Sequence, residues 1–361
     1  MKICIEGIGI VGGFGAGIKE FSKALATGGN HVQSVPLRVG ENVTEIPAFL
    51  ADTSHLNDFI PKKALRRIDH YAKMALLGSY LALQDASMMD IDPKLGIVVA
   101  SGYGASATTF AFLDSFITSN DTFSSPTHFS NSVHNTAAAQ ISILLGTIGP
   151  CLTVSQFEMS VPSALITAIN WLKEGRVEKV LFGAVDEYCD VLGYCYHRFF
   201  GLNQAIEPFL FDRQTAIPGE GSAFFLLSMK EPSGKTYGHI TSVAAEYRDG
   251  PGLPLPHKTL FILGADGHGK YGRYYEQCVT SEMNITSYTS LFGSFPTNTA
   301  FDMAVACLSL KGNKVYSPPS WIIRPAELTI PDGTDALDAS EICCFKMGNH
   351  GESGVITLKK D

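Results

Sequence analysis

Apolar residues along the chain follow two alternating patterns, short runs rich in Val and Ile and longer segments with helical spacing. This alternation predicts β–α–β units around a largely parallel, buried sheet, and therefore the α/β fold class. The runs predict strands near 2–8, 95–101, 151–156, 178–185 and 221–228, and a second series near 238–246, 260–264, 287–292, 341–346 and 354–359.

Two segments with helical spacing are long enough to predict individual helices. Apolar residues recur every three to four positions in Ala64–Leu83, and they do the same in Val161–Lys173, with Pro162 in the first turn. The two strand series predict two domains, 1–230 and 231–361, joined near the stretch KEPSGKTYG. No sequence repeat links the two halves.

The composition argues against several classes of function. A net charge of −8 and a pI near 5.7 disfavour binding of nucleic acid or of an anionic membrane surface. No apolar run is long enough for an integral membrane segment, and the N-terminus lacks signal-peptide features, so we expect a cytoplasmic protein. The eight Cys residues include no CxxC pair, which predicts reduced thiols; neither a metal site nor a cofactor is expected.

One short segment concentrates positive charge in this acidic chain. PKKALRR, from Pro61 to Arg67, is the only dense basic stretch. It suits an acidic carrier protein as a partner, or it forms a solvated helix face.

Two glycine-containing motifs have structural interpretations. GIGIVG, from Gly7 to Gly12, fits the GxGxxG pattern, but no acidic residue follows about 20 positions later. We therefore reject a nicotinamide site and assign these glycines to a tight strand-to-helix turn. In PGEGSAFFLL, glycines flank Glu220 at the start of a strand, which predicts close backbone packing with Glu220 in a buried polar network.

The stretch TVSQFEMSVPSAL, Thr153–Leu165, indicates a buried strand that turns into a helix. Many α/β enzymes place a nucleophile in such a turn, but the residue at its crest here is Glu158. The partial positive charge of a helix N-terminus stabilises an anion by roughly 0.3–1 kcal/mol. Glu158 therefore either fills the site structurally or takes part in chemistry.

Taken together, these segments resemble the β-ketoacyl synthase family, the thiolase-like enzymes of fatty acid and polyketide synthesis. IEGIGIVGGFGAGIKEFSKALATG resembles the opening strand and first helix of that family, and RRIDHYAKMALLGSYLALQDA its Arg-rich helix. SPTHFSNSVHNTAAAQISILLGTIGPCLTVS resembles the segment before the nucleophile, and FDRQTAIPGEGSAFFLL the Phe-Asp turn and Gly-Glu-Gly. The resemblance implies a thiolase-like αβαβα layered fold built from two similar halves, the second one shortened, in a dimer.

The chain departs from this family at each catalytic position. Counting from the Gly-Pro pair without gaps places Glu158 at the position of the Cys. The segment LGADGHG places Asp266 at the position of the first His, and alignment back from the following helix places Tyr288 for the Lys and Gly293 for the second His. His268 lies two residues after the first His position. A carboxylate is a poor acyl acceptor, because its product is a mixed anhydride that hydrolyses readily. We therefore expect no catalytic residues for condensation on this chain alone.

Two functions fit these departures. The first is a non-catalytic subunit similar to the chain-length factors, which form a heterodimer with an active ketosynthase and shape the acyl tunnel. The second is a malonyl-acyl-carrier-protein decarboxylase that uses Glu158. Repulsion between Glu158 and the malonyl carboxylate or its enolate favours the first. The resemblance implies an acyl carrier protein with a phosphopantetheine-bound chain as a further partner, and points to bacterial aryl polyene or flexirubin-type pigment synthesis.

The segment Ala107–Phe123 corresponds to the place where relatives bring helices across the dimer axis. Its apolar side chains fall on two helical faces, one with Phe110, Leu113 and Ile117 and the other with Phe112 and Phe116. Either both faces belong to the core of this chain, or one of them lines the acyl tunnel of a partner.

Overall fold

The computed structural model describes residues 2–29, 31–120, 122–229, 236–247, 259–333, 339 and 341–360. The strands are β1 Ile3–Gly12, β2 Gly15–Ala16, β3 Gln33–Val39, β4 Asn42–Ala48, β5 Gly96–Ala100, β6 Cys151–Val154, β7 Lys179–Asp186, β8 Gly221–Ser228, β9 His239–Tyr247, β10 Thr259–Leu263, β11 Asn284–Thr286, β12 Glu341–Met347 and β13 Glu352–Lys359. The helices are α1 Ile18–Thr27, α2 His70–Asp85, α3 Ser106–Thr118, α4 Pro126–Asn131, α5 Thr136–Leu145, α6 Ser160–Lys173, α7 Asp190–Phe200, α8 Gly269–Cys278 and α9 Thr299–Gly312.

The strands form two halves with the same connectivity. The first half has the spatial order β6-β5-β7-β8-β1, and the second has the order β11-β10-β12-β13-β9. In the first half, β6, β5 and β7 are parallel, while β8 pairs antiparallel with both β7 and β1. In the second half, β11, β10 and β12 are parallel, while β13 pairs antiparallel with both β12 and β9. The halves meet where β1 pairs antiparallel with β9. The predicted construction from two similar halves is confirmed, although their sequences show no repeat.

The predicted boundary between the domains, 1–230 and 231–361, stays a prediction. The first half ends with β8 and the second begins with β9. Residues 230–235, where the sequence predicted the boundary, lie outside the described residues.

Helices and sheet alternate in five layers. α6 and α9 lie in the centre, packed against the inner faces of both halves, where Val98, Ile262 and Cys344 are buried. The alternate residues of the same strands, such as Ile97 and Cys343, face outward and are covered by α2 and α5 on one side and by α8 on the other. Because side chains alternate between the faces of a strand, runs buried on both faces are continuously apolar. The αβαβα prediction is confirmed.

Two element predictions need correction. Residues 287–292 were expected to form a strand, but β11 ends at Thr286 and Thr289–Leu291 form a 3₁₀ turn. Hydrogen bonds from Leu291 N to Tyr288 O and from Gly293 N to Thr289 O close this turn. A short apolar run does not distinguish the two conformations by periodicity.

The second correction concerns the start of α2. The sequence predicted a helix from Ala64, but α2 begins at His70 and residues 62–67 form turns. The side chain of Asp69 accepts a hydrogen bond from Ala72 N at 2.9 Å and caps the helix there.

The glycines of GIGIVG lie within β1 rather than in a strand-to-helix turn, which corrects the prediction made for them. A Cβ atom at Gly7 would lie 2.3 Å from Ala82 O, and one at Gly9 would lie 1.9 Å from Gly78 O. These glycines therefore allow α2 to approach the sheet closely. Their role is in packing.

The two ends of the sheet differ. β6 pairs only with β5, so its other side is an open edge within the described part of the chain. At the opposite end, Ile285 N of β11 donates to Thr329 O at 3.0 Å, so a following segment covers that edge. Across the described ranges, no helix has the length and apolar character of a membrane span.

Candidate functional site

The crest of the β6–α6 connection consists of two residues that point in opposite directions. Phe157 has a φ of 45° and is 62% exposed, whereas the next residue, Glu158, is buried. A left-handed backbone at a bulky residue costs about 1–3 kcal/mol and persists only where the surroundings enforce it. The chain therefore turns Glu158 inward at the expense of local strain.

Glu158 is held by a tyrosine from the second half of the fold. Tyr271 on α8 donates its hydroxyl to Glu158 Oε1 at 2.8 Å. Burial and the nearby charge of Glu158 raise the pKa of Tyr271, which keeps this phenol protonated as a donor. The partner that the structure describes for Glu158 is thus a phenol, whereas the sequence suggested the helix amides.

His268 lies beside Tyr271 in an aromatic enclosure. Its Nε2 is 3.1 Å from the hydroxyl of Tyr196, and the rings of Tyr196, Phe200 and Tyr271 all have centroids within 6 Å of its own. Burial lowers the pKa of His268. The imidazole is therefore neutral at physiological pH.

Asp266 belongs to a buried ion pair. Lys346 Nζ donates to Asp266 Oδ2 at 3.0 Å and to Gly264 O at 2.8 Å, and Ser294 Oγ donates to the same Asp266 oxygen at 3.1 Å. Burial alone would raise the pKa of Asp266, but the charge of Lys346 and these hydrogen bonds outweigh it and hold the pKa below its ordinary value. An ionised Asp266 accepts hydrogen bonds and has none to donate to a substrate oxygen.

A second carboxyl group lies near this pair without a hydrogen bond. Both oxygens of Asp302 on α9 are buried and lack a partner among the described residues. Burial raises the pKa of Asp302 to about 8, against the attraction of Lys346. Asp302 is therefore protonated at neutral pH, and the charges beside it are those of the Lys346 ammonium and the Asp266 carboxylate.

The four positions assigned from sequence separate into two groups. Glu158 and Asp266 belong to one polar cluster, linked through Tyr271, His268, Tyr196 and Ser294. Tyr288 lies elsewhere in the central core and donates its hydroxyl to Tyr316 O at 2.6 Å.

Gly293 contributes only backbone to this region. Its φ is 98°, and a Cβ atom there would lie 2.8 Å from Gly219 Cα, so a side chain does not fit without movement of the backbone. The next residue, Ser294, supplies the side chain that contacts Asp266.

Sequence reasoning missed four members of the cluster, which are Tyr271, Tyr196, Lys346 and Ser294. Tyr271 and Glu158 are 113 positions apart, so no local pattern connects them. Lys346 did leave a signal, since it is the single cation inside the apolar run ICCFKM of β12. A lone cation in a buried strand implies a buried carboxylate partner. Tyr196 left no comparable signal.

The donors of the cluster are engaged within the protein. The Tyr271 hydroxyl binds Glu158, and Lys346 binds Asp266 and a carbonyl oxygen. Condensation requires a thiolate and donors directed at the developing oxyanion. The crest has a carboxylate, not a thiolate, and Tyr271 and Lys346 donate to acceptors within the protein.

α3 has apolar side chains that this chain does not bury. Only Thr108 of the helix is buried, while Phe110, Leu113, Phe116 and Ile117 are exposed. Phe112 is partly covered by the ring of Phe129 on α4, with centroids 5.4 Å apart. Neither face of α3 is therefore core within this chain.

The N-terminus of α3 is anchored in a network of acidic side chains. Glu187 accepts from Ala107 N at 2.8 Å, and Thr108 Oγ1 donates to Asp69 at 3.2 Å. Glu220 lies in the same region, 2.8 Å from His70 Nε2, and accepts from the backbone N–H groups of residues 51 and 188. The predicted burial of Glu220 in a polar network is confirmed.

Part of this chain is similar in sequence to known proteins. A family model described as the β-ketoacyl synthase N-terminal domain matches residues 44–199, which include α3 and Glu158. Residues 44–199 are therefore similar to a β-ketoacyl synthase N-terminal domain. This ketosynthase-like chain is 27% identical over 276 residues to the "Actinorhodin polyketide putative beta-ketoacyl synthase 2" of Streptomyces coelicolor. That match covers 71% of the chain and 66% of the relative, slightly less than two thirds of its length.

Solved structures extend the likeness of the fold to the whole ketosynthase-like chain. The ishigamide ketosynthase/chain length factor aligns with a TM-score of 0.82 at 14% identity, covering 100% of this chain and 99% of that one. A chain from a type II polyketide acyl-carrier protein in complex with its ketosynthase aligns with a TM-score of 0.80 at 15% identity, covering 100% and 99%. The fold is therefore thiolase-like throughout.

Proposed function

We propose that this chain is a chain-length-factor-like subunit without condensing activity, which forms a heterodimer with an active ketosynthase and shapes its acyl tunnel. The observation that carries the proposal is the buried Glu158 at the crest, bound by Tyr271. A thiolate is replaced there by a carboxylate whose neighbouring donor is already used. The position of the first His holds the Asp266–Lys346 ion pair instead of a neutral hydrogen-bond donor.

An exposed apolar surface supports the heterodimer. Ile148 is 83% exposed just before β6, and Leu152 lies exposed on that open edge strand. Natural proteins rarely leave an apolar strand edge uncovered, because it pairs with other chains. A partner of the same fold would extend the sheet across this edge.

The exposed residues of α3 support a role in the tunnel. Phe110, Leu113, Phe116 and Ile117 lie on a helix that the chain itself leaves largely uncovered. Apolar side chains of this size suit the wall of a cavity for an acyl chain. We propose that the side chains of Phe116 and of the partly covered Phe112 limit the length of the acyl chain.

An acyl carrier protein is the proposed bearer of the substrate. The side chains of Lys62, Lys63, Arg66 and Arg67 are all exposed in the turns before α2. Four cations within six residues, on a protein of net charge −8, form a local site for an acidic protein. An aryl polyene or related polyene acyl chain is the proposed cargo, and the cytoplasm the proposed compartment. Deeply buried thiols such as Cys344, whose pKa burial raises, suit a reducing environment.

The test is co-expression with an intact ketosynthase encoded beside this chain. We expect a one-to-one complex whose condensation activity is lost when the cysteine of the partner is replaced. Glu158→Ala should retain most of that activity, whereas Phe116→Ala should lengthen the product without loss of assembly. Product masses from liquid chromatography and mass spectrometry give the readout.

Two results would contradict the proposal. Loss of activity in Glu158→Ala within an assembled complex would make Glu158 a participant. Release of CO₂ from malonyl-acyl-carrier-protein by this chain, abolished in Glu158→Ala, would establish the decarboxylase instead.

A further inference from the structure

Phe157 has an unusual combination of backbone strain and exposure. Its φ of 45° places it among only four non-glycine residues with positive φ in the described ranges, and its aromatic side chain is 62% exposed. The other three are Ser87, Asn120 and Asn313, which are small or polar. The strain accompanies the inward turn of Glu158, but the exposure of a large apolar ring gains nothing for the isolated chain, so it indicates a contact with another molecule.

The surroundings enforce this conformation. Gln156 N donates to Ser160 Oγ at 2.8 Å, and Met159 N donates to Gln156 O at 3.0 Å, which fixes the backbone on both sides of Phe157. Behind it, a Cβ atom at Gly102 would lie 3.4 Å from Phe157 Cα and 2.3 Å from Pro296 Cβ. The backbone of Phe157 therefore packs against Gly102, where little space is free. Its side chain can only point outward, away from the protein.

The position of Phe157 relative to the open edge identifies the surface that it contacts. Phe157 follows the C-terminal end of β6 by three residues, and the exposed Ile148 precedes the N-terminal end by three. When two edge strands pair antiparallel about a two-fold axis, the end of one strand lies beside the start of the other. Phe157 would thus meet the segment that precedes the edge strand of the partner.

We infer that Phe157 is the aromatic anchor of the partner interface, inserted against the segment that precedes the edge strand of a like-folded ketosynthase. This inference rests on the proposed heterodimer and adds the residue that secures it. The same strained turn that directs Glu158 into the protein directs Phe157 into the partner. One backbone feature therefore both removes the reactive position and creates the contact.

The experiment measures the dissociation constant of the complex with the neighbouring ketosynthase by isothermal titration calorimetry. Phe157→Ala and Phe157→Gly should each weaken binding about tenfold or more, as truncation of an interface anchor does. Ile323→Ala, which truncates an exposed apolar residue in the second half of the fold, is the control and should stay within about twofold of wild type.

Thermal unfolding of the isolated variants measures the effect of the backbone strain on stability, separately from the effect of the lost contact on binding. Phe157→Gly should unfold at a temperature no lower than Phe157→Ala, because glycine adopts the left-handed conformation without strain. Binding within twofold of wild type in both Phe157 variants would overturn the inference and leave the heterodimer intact. Absence of binding by the wild-type chain would instead overturn the proposed function, and the anchor with it.

Discussion

At the scale of single residues, the polar cluster consists of substitutions that compensate one another. Asp266 would be an unpaired buried charge without Lys346, and Glu158 would lack its hydroxyl donor without Tyr271. Sequence counting located Glu158 and Asp266 because both lie at fixed distances from local motifs. It could not locate Tyr271 or Tyr196, because their contacts join segments that are distant in the chain.

Removal of the ammonium group tests this compensation. Lys346→Met should lower the free energy of unfolding by about 3–5 kcal/mol, because it leaves Asp266 buried without its partner. The double variant with Asp266→Asn should recover at least half of the loss. Urea denaturation measures the free energy of unfolding of the single and the double variant. Lys359→Met, which breaks a half-exposed pair with Glu341, is the control and should cost about 1 kcal/mol or less.

At the scale of elements, α3 combines an apolar, uncovered body with an acidic anchor at its N-terminus. Burial raises the pKa of Glu187 to about 8, and the nearby charges of Asp69 and Glu220 add to the effect while His70 opposes it. The ordinary value is 4.5, so between these values the folded chain binds a proton that the unfolded chain has released. The contribution of Glu187 to stability is therefore full below pH 4.5 and is lost as the pH rises through about 8.

This linkage predicts a measurable slope. Between pH 6.5 and 8, the free energy of unfolding should fall with pH, with Glu187 contributing up to about 1.4 kcal/mol per pH unit. The contribution of Asp302 to this slope has the same sign, since the pKa of Asp302 is also raised to about 8. Glu187→Gln should reduce the slope and keep an oxygen acceptor for Ala107 N. Chemical denaturation at four pH values measures it, and Asp114→Asn, on the exposed side of α3, should leave the slope unchanged. An unaltered slope in Glu187→Gln would contradict the assignment.

At the scale of the whole molecule, the layers could be predicted because a sheet buried on both faces produces continuous apolar runs. The same property explains the one misplaced strand, at 287–292, where a buried 3₁₀ turn has an equally apolar sequence. The exposed character of α3 could not be predicted. Its composition is that of a core helix, and only the position of neighbouring elements reveals that the described residues leave most of it exposed.

The open edge predicts self-association of the isolated chain. In the absence of a partner, the chain should elute as dimers or larger species, because the apolar edge around Leu152 remains available for pairing. Leu152→Lys should shift it towards monomer and abolish the complex with the ketosynthase. Val43→Lys, on the separate β3–β4 hairpin, should leave both unchanged. Size-exclusion chromatography with light scattering measures the mass, and a monomeric wild-type chain would contradict the prediction.

The covered edge at β11 has a consequence for stoichiometry. A sheet with two open edges has a valence of two and can add subunits without limit, as fibrils do. Here the contact of Ile285 with Thr329 occupies the far edge, so the large sheet, as far as the structure describes it, has a valence of one at β6. A subunit with a single such edge terminates an assembly at the first partner that it meets. Competition between a second copy of this chain and a ketosynthase for that one position would then determine how much heterodimer forms in the cell.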